Sequence, residues 1–183
     1  MEESSHKSQA KAKKSSSLEE GLKHTDTLSK FKLFTGFHQE ELESLVGLSD
    51  VITIPAGTEI VCEGDPGHCM FVILNGKALV FKKVTAGELP LAELSSGDFF
   101  GEVSLVDDGV RSATVLATED CRLLKITRMV IGVLAGIQPS AAIQLLAAIG
   151  RSLVQRLRAG NQKYLDLILA GHAPTSESLS QQD

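Results

Sequence analysis

Three textures follow one another along the chain. From residue 18 to about 48 the apolar positions recur at helical spacing. Leu28, Phe31, Leu33 and Phe34 come first, then Leu42, Leu45 and Val46. Glu40, Glu41 and Glu43 precede the second group, and acidic side chains favour the first turn of a helix, where free N–H groups make the positive end of the dipole. From residue 51 to 127 the apolar residues come instead in short runs broken by Gly, Asn and Pro. Residues 51–54, 70–74, 78–81, 89–94, 113–117 and 121–126 are predicted strands. Asn75-Gly76, between two of them, predicts a hairpin turn. From Arg128 the helical texture returns. A short helix runs to about Gln138, Pro139 restarts the chain, and a long helix follows from about Ser140.

Short strands with closely spaced turns argue for a sandwich or barrel. The chain of 183 residues has room for one domain of ordinary size and for tails. Residues 1–17 are Ser, Lys, Glu and Ala with almost nothing apolar, and 171–183 read the same way, so both are predicted to be disordered. The domain is expected at 18–170. Hydrophobic residues make up 43% of the chain but aromatics only 4%, with no Trp, so the core must be built from Val, Ile, Leu and Ala. The last helix carries a stripe of Ile143, Ala147, Gly150, Val154, Leu157 and Tyr164, flanked by Leu146, Ile149 and Leu153. Over residues 140–170 it spans about 45 Å, more than one small β-body needs to cover, which predicts a homodimer through paired helices. Gly160-Asn161 interrupts good helix formers there as a cap or a hinge.

The net charge of -5 and pI near 5.6 argue against a general nucleic-acid binder, because phosphate contacts supply most of that affinity. Cys62, Cys69 and Cys121 are odd in number and irregular in spacing, which excludes a disulfide framework. Without a C-x-x-C pair, and with five scattered His, no zinc site is expected. The N-terminus lacks a signal-peptide apolar segment. The uncharged stretch at 129–150 is broken by Gly132 and by Gln138-Pro139-Ser140, so no membrane span is expected either. The sequence therefore predicts a cytoplasmic, metal-free protein.

One loop concentrates chemistry: Gly97-Asp98-Phe99-Phe100-Gly101-Glu102-Val103-Ser104-Leu105, a short excursion, then Arg111-Ser112-Ala113-Thr114-Val115. Gly101 permits close backbone approach to a ligand. Residues 102–105 can form one helical turn, whose free N–H groups face an anion. Arg111, entering the next strand, offers a guanidinium fork to a phosphate, and Ser112 adds a hydroxyl. Glu102 is an acceptor suited to a sugar hydroxyl. Anion donors beside a sugar acceptor point to a nucleotide; the competing reading is a Glu102–Arg111 salt bridge holding a tight turn. Asp107 and Asp108 read as a solvated loop tip, and Phe99 and Phe100 as core anchors of the loop.

These residues resemble the phosphate-binding cassette of cyclic-nucleotide-binding domains, as in catabolite activator proteins and regulatory subunits of cAMP-dependent kinase. Phe100 to Leu105 and Arg111 to Val115 fill the positions of that pattern, and Ile60-Val61, Gly64-Asp65, Gly67, the run from Met70 to Ile73, and Gly76 fill its upstream part. The resemblance covers about 28–164. It implies a mainly β fold: an eight-stranded, jelly-roll-like β-roll with N-terminal helices, a short helix and a long C-terminal helix. It places ligand binding at Gly101, Glu102, Val103, Ser104, Arg111, Ser112 and Ala113. Glu102 would accept from the ribose 2′-hydroxyl, Arg111 would pair with the cyclic phosphate, and Ser112 would donate to a phosphate oxygen. In the family the long helix closes over the base; Arg156, Asn161 and Tyr164 are the candidates for that lid, while Gly64 and Gly67 are expected to be structural turn residues.

The implied function is a non-enzymatic cyclic-nucleotide sensor, with cAMP before cGMP. No output domain is read on the same chain, so an unidentified effector protein would receive the signal. A metal-dependent barrel enzyme would need clustered His, and the β-region holds only His68. A nucleotide-independent scaffold acting through its dimer helix is the third reading. The Lys- and Ser-rich stretch at 11–17 reads as a solubilising tail.

Overall fold

The alternation of side chains along one strand sets the architecture. Cys69, Phe71 and Ile73 point to one face of β3 (Cys69–Asn75), Met70, Val72 and Leu74 to the other, and all six are buried. A strand buried on both faces is a central strand, which explains its unbroken apolar run. The computed structural model describes residues 25–85, 87–107 and 109–171. The remaining strands are β1 (Asp50–Ile54), β2 (Glu59–Val61), β4 (Ala78–Val84), β5 (Gly87–Leu94), β6 (Phe99–Phe100), β7 (Thr114–Ala117) and β8 (Cys121–Thr127). They form two four-stranded antiparallel sheets, in the orders β1-β8-β3-β6 and β2-β7-β4-β5. The core between them takes Cys69, Phe71, Ile73, Phe100, Cys121 and Leu123 from the first sheet and Ala78, Val115 and Ala117 from the second. This is the mainly β roll expected from the sequence. Periodicity marked six of its strands; β2 and β6 are too short to show a period.

The Asn75-Gly76 hairpin is not formed. β3 and β4 lie in different sheets, so this turn is a crossover. Gly76 alone has positive φ, at 95°, whereas a type I′ turn needs it at both central positions. A β-carbon on Gly76 would collide with the Asp120 carbonyl. The glycine thus answers to the packing of residues 120–121 and not to a two-strand ribbon.

Residues 25–28 are helical, a 3₁₀ turn covers Lys32–Phe34, and α1 runs over Gln39–Leu48. Leu28, Leu33, Phe34, Leu42 and Leu45 are all buried. α2 is the single turn Val103–Val106, α3 is Arg128–Ile137, and α4 is Pro139–Gly171. Pro139 starts α4, where its missing N–H costs nothing. Glu41 on α1 is only 4% exposed. Its Oε1 accepts from Ser140 Oγ at 2.6 Å, its Oε2 from the His38 backbone N–H at 2.9 Å, and both oxygens from Gln144 Nε2 at 3.3 Å. These bonds, that of Ser140 foremost, hold its carboxyl below the usual carboxylate range against the opposing effect of burial.

The chain divides into two compact units, Met1–Leu146 and Ala147–Asp183. The described part of the second is helix throughout, and Val154, Leu157, Tyr164, Leu165 and Leu169 on it are exposed. The tails expected at 1–17 and 171–183 lie outside the described residues, apart from Gly171 at the end of α4. Among the described residues no helix is long and apolar enough to cross a membrane.

Candidate functional site

Two sequence motifs, Gly64-Asp65 and the one that Arg111 opens, meet at one backbone position. Arg111 N–H donates to Asp65 O at 2.8 Å, and Gly64 N–H donates to Arg111 O at 2.9 Å. Glu63 N–H donates to Thr114 Oγ1 at 3.0 Å, and Pro66 and Val110 form an isolated β-bridge beside them. The 63–66 turn therefore clamps the chain on both sides of Arg111 and aims its side chain inward.

Arg111 is 6% exposed. Nη1 donates to Cys69 O at 2.9 Å, to Gly101 O at 3.1 Å and to Ser104 Oγ at 3.1 Å, while Nη2 reaches Cys69 Sγ at 3.3 Å. Every one of these acceptors is neutral. Among the described residues no carboxylate lies within 4.0 Å of it, so the competing Glu102–Arg111 salt bridge is not made. Two glycines make room. Gly101 has φ 76°, and a β-carbon there would stand 2.5 Å from Arg111 Nη1. A β-carbon on Gly67 would overlap Ser104 and stand 3.1 Å from Arg111 Cζ. Gly67 thus lines the site as a point of close approach.

Glu102 is 2% exposed and stands at the N-cap of α2, a position that favours a negative charge. Ser104, two residues on, is buried, whereas Val103 is exposed. Phe100, immediately before Gly101, stacks on Phe71 with ring centroids 5.2 Å apart and anchors the loop in the inter-sheet core. Phe99 is buried as well. Gly101 and Ser104 thus meet Arg111, and Glu102 and Val103 lie between them in the chain. Ser112 follows it on the exposed side, and Ala113 is half-buried. Arg111 does not enter a strand: β7 begins only at Thr114. Asp107 is exposed, and Asp108 lies outside the described residues. The lid candidates Arg156, Asn161 and Tyr164 all lie on the 147–171 part of α4, and each is exposed.

Sequence reasoning missed Arg128. From the first turn of α3 its Nε and Nη2 donate to Ser104 O at 3.1 and 2.6 Å, and Nη2 donates to Asp107 O at 2.8 Å. No motif marks it; only the fold brings it to α2. Cys62, Cys69 and Cys121 are free thiols. Among the described residues no three His, Cys, Asp or Glu side chains gather as a metal site.

This geometry agrees with relationships to known proteins. The family described as "Cyclic nucleotide-binding domain" matches residues 51–134. Residues 51–134 belong to that family. The matched segment starts in β1, contains both halves of the cassette, and ends inside α3. The cyclic AMP receptor protein of Thermus thermophilus is 35% identical over 122 residues, 66% of this chain and 56% of that protein. The regulatory subunit of cAMP-dependent protein kinase from Aspergillus niger is 34% identical over 101 residues, 55% of this chain and 24% of that protein. The crystal structure of the Thermus thermophilus catabolite activator protein superposes with a TM-score of 0.67 at 33% identity, covering 75% of this chain and 62% of that one. The chain thus spans about a quarter to three-fifths of the length of these relatives.

Proposed function

We propose that the chain is a cyclic-nucleotide sensor whose first ligand is cAMP. The observation that carries this reading is Arg111, a cation nine-tenths buried whose acceptors are all neutral. A buried charge without a countercharge is costly, and an anion arriving at the fork relieves that cost. Arg111 pairs with the cyclic phosphate, Ser112 donates to a phosphate oxygen, and backbone N–H groups of Gly101 to Ser104 and of Ala113 complete the anion site. Glu102 accepts from the ribose 2′-hydroxyl. The names of the Thermus receptor and the Aspergillus subunit both carry cAMP, which supports adenine over guanine.

Binding without bond-making chemistry is the role. Ligand energy shifts the loop and α4, with Arg156, Asn161 and Tyr164 acting as the lid, and the signal passes to a partner protein. The exposed apolar residues Val154, Leu157 and Tyr164 on α4 support a homodimer through that helix. Side-by-side calorimetric titrations with cAMP and cGMP test the ligand. Tighter binding of cAMP is expected; tighter binding of cGMP would reassign the base, and binding of neither would leave the scaffold reading.

A further inference from the structure

Arg111 divides its donors unequally. Nη1 has three oxygen acceptors, Cys69 O at 2.9 Å and Gly101 O and Ser104 Oγ at 3.1 Å. Among the described residues Nη2 has one acceptor, the Cys69 sulfur at 3.3 Å, and Nε has none. A thiol sulfur is a weak acceptor, so Nη2 is held loosely where Nη1 is held firmly. One residue therefore meets both nitrogens, by its carbonyl and by its side chain. That residue sits on a rigid element: Cys69 lies in the central strand β3, is 4% exposed, and pairs with Thr127 of β8. Strand pairing fixes its carbonyl whatever the side chain is, so the side chain at position 69 alone decides what Nη2 meets on this strand.

We propose that Cys69 is the positioning residue that sets the anion affinity of the site. It acts through Arg111 and does not touch the nucleotide in this account, which rests on the cyclic-nucleotide reading above. Nη1 is the structural half of the guanidinium and closes the loop. Nη2, with Nε, is the half that meets the phosphate. The thiol steadies Nη2 in the free protein and yields it to a phosphate oxygen, because a weak neutral bond is exchanged for a charge-assisted one. The thiol also leaves the buried cation without a countercharge. A carboxylate at this position would neutralise Arg111 from within and remove what draws an anion into the pocket; an amide of the same size would not.

The test compares Cys69→Asp with Cys69→Asn in the full chain, by cAMP calorimetry and thermal melts. The two side chains share a shape and differ in charge, so a packing role would affect both alike. Cys69→Asn should bind cAMP within about fivefold of the parent, as the swap of one neutral acceptor for another allows. Cys69→Asp should bind at least about tenfold more weakly than Cys69→Asn, on the scale of a charge-assisted bond. It should melt no lower than Cys69→Asn, because its carboxylate pairs with Arg111. Equal cAMP affinity in the two variants would overturn the proposal, and so would a loss in Cys69→Asp that comes with a lower melting temperature, the mark of a packing defect. If Cys69→Asp does not fold, Cys69→Ala decides. It frees Nη2 without adding charge and should bind cAMP as tightly as the parent or more tightly; a loss of about tenfold or more overturns the proposal. Should the parent fail to bind cAMP, the cyclic-nucleotide reading falls on that result, and inorganic phosphate judges Cys69. Phosphate should raise the melting temperature of the parent and of Cys69→Asn but not of Cys69→Asp; equal shifts in all three, or none in the parent, overturn the proposal.

Discussion

Arg111 donates from Nη1 to the Ser104 hydroxyl at 3.1 Å, so the cation that ends the site loop holds the one-turn helix that begins it. The loop between them is closed by a side chain and not by a sheet. Gly67 faces this contact, with an ideal β-carbon only 2.6 Å from Ser104 Cβ.

Gly67→Ala should therefore act as a wedge. The added methyl must displace Ser104 or Arg111, and overpacking of this kind costs about 1–3 kcal/mol. Cyclic AMP affinity should fall about tenfold or more on the same scale, with a lowered melting temperature. Calorimetry and a thermal melt check both. Gly47, where a β-carbon meets nothing within 4 Å, is the control: Gly47→Ala should bind like the parent.

Glu102→Gln should separate ribose from phosphate. The change keeps the shape of a buried side chain but removes the charge that strengthens its bond to a hydroxyl. Affinity for cAMP should fall by about 1.5–3 kcal/mol, while that for 2′-deoxy-cAMP should change little. Equal losses for both ligands would show that Glu102 serves the loop and not the sugar.

Glu41 gives the domain an acid-sensitive joint. Its carboxyl titrates below its ordinary value in the folded chain, chiefly because Ser140 Oγ donates to it. The unfolded chain thus binds this proton more readily. The resulting stability is complete above the ordinary carboxylate range, near about 4.3, and is lost as pH falls through the folded value. Urea unfolding between pH 7 and pH 3 should show that decline, and Glu41→Gln should flatten it. An unchanged pH slope in Glu41→Gln would place the acid sensitivity elsewhere.

Much of the fold was legible because its signals are local. The run from Met70 to Leu74 announced a strand, and Pro139 announced a helix start. β2 and β6, three and two residues long, carry no period to read and entered only through the family resemblance. Asn75-Gly76 misled because a sheet crossover and a hairpin ask for the same residues locally; pairing with distant strands decides between them. In the site, Gly101, Glu102 and Arg111 were readable as a motif. In sequence Gly67 looks like a turn residue, whereas its close approach to Ser104 depends on a chain segment far along the sequence. Arg128 was unreadable for the same reason, since its partners are backbone carbonyls on α2. Nor does the motif show that Arg111 is part of the packing. It is buried, and it satisfies the carbonyls of Cys69 and Gly101.

Arg111→Ala should consequently cost stability as well as binding. Orphaning buried acceptors costs about 1–3 kcal/mol, so the variant should melt several degrees lower yet remain folded. Arg111→Lys should restore part of both, because an ammonium supplies the charge without the fork.

The most direct test of the account is a calorimetric titration of cAMP into the parent and into Arg111→Ala, at a temperature where both are folded. Saturable binding to the parent and an affinity loss of at least about tenfold in the variant are expected, as removal of a charge-assisted bond to phosphate requires. Equal cAMP affinity in the two proteins would contradict it, and would leave Arg111 as a clamp for Ser104, Gly101 and Cys69 alone.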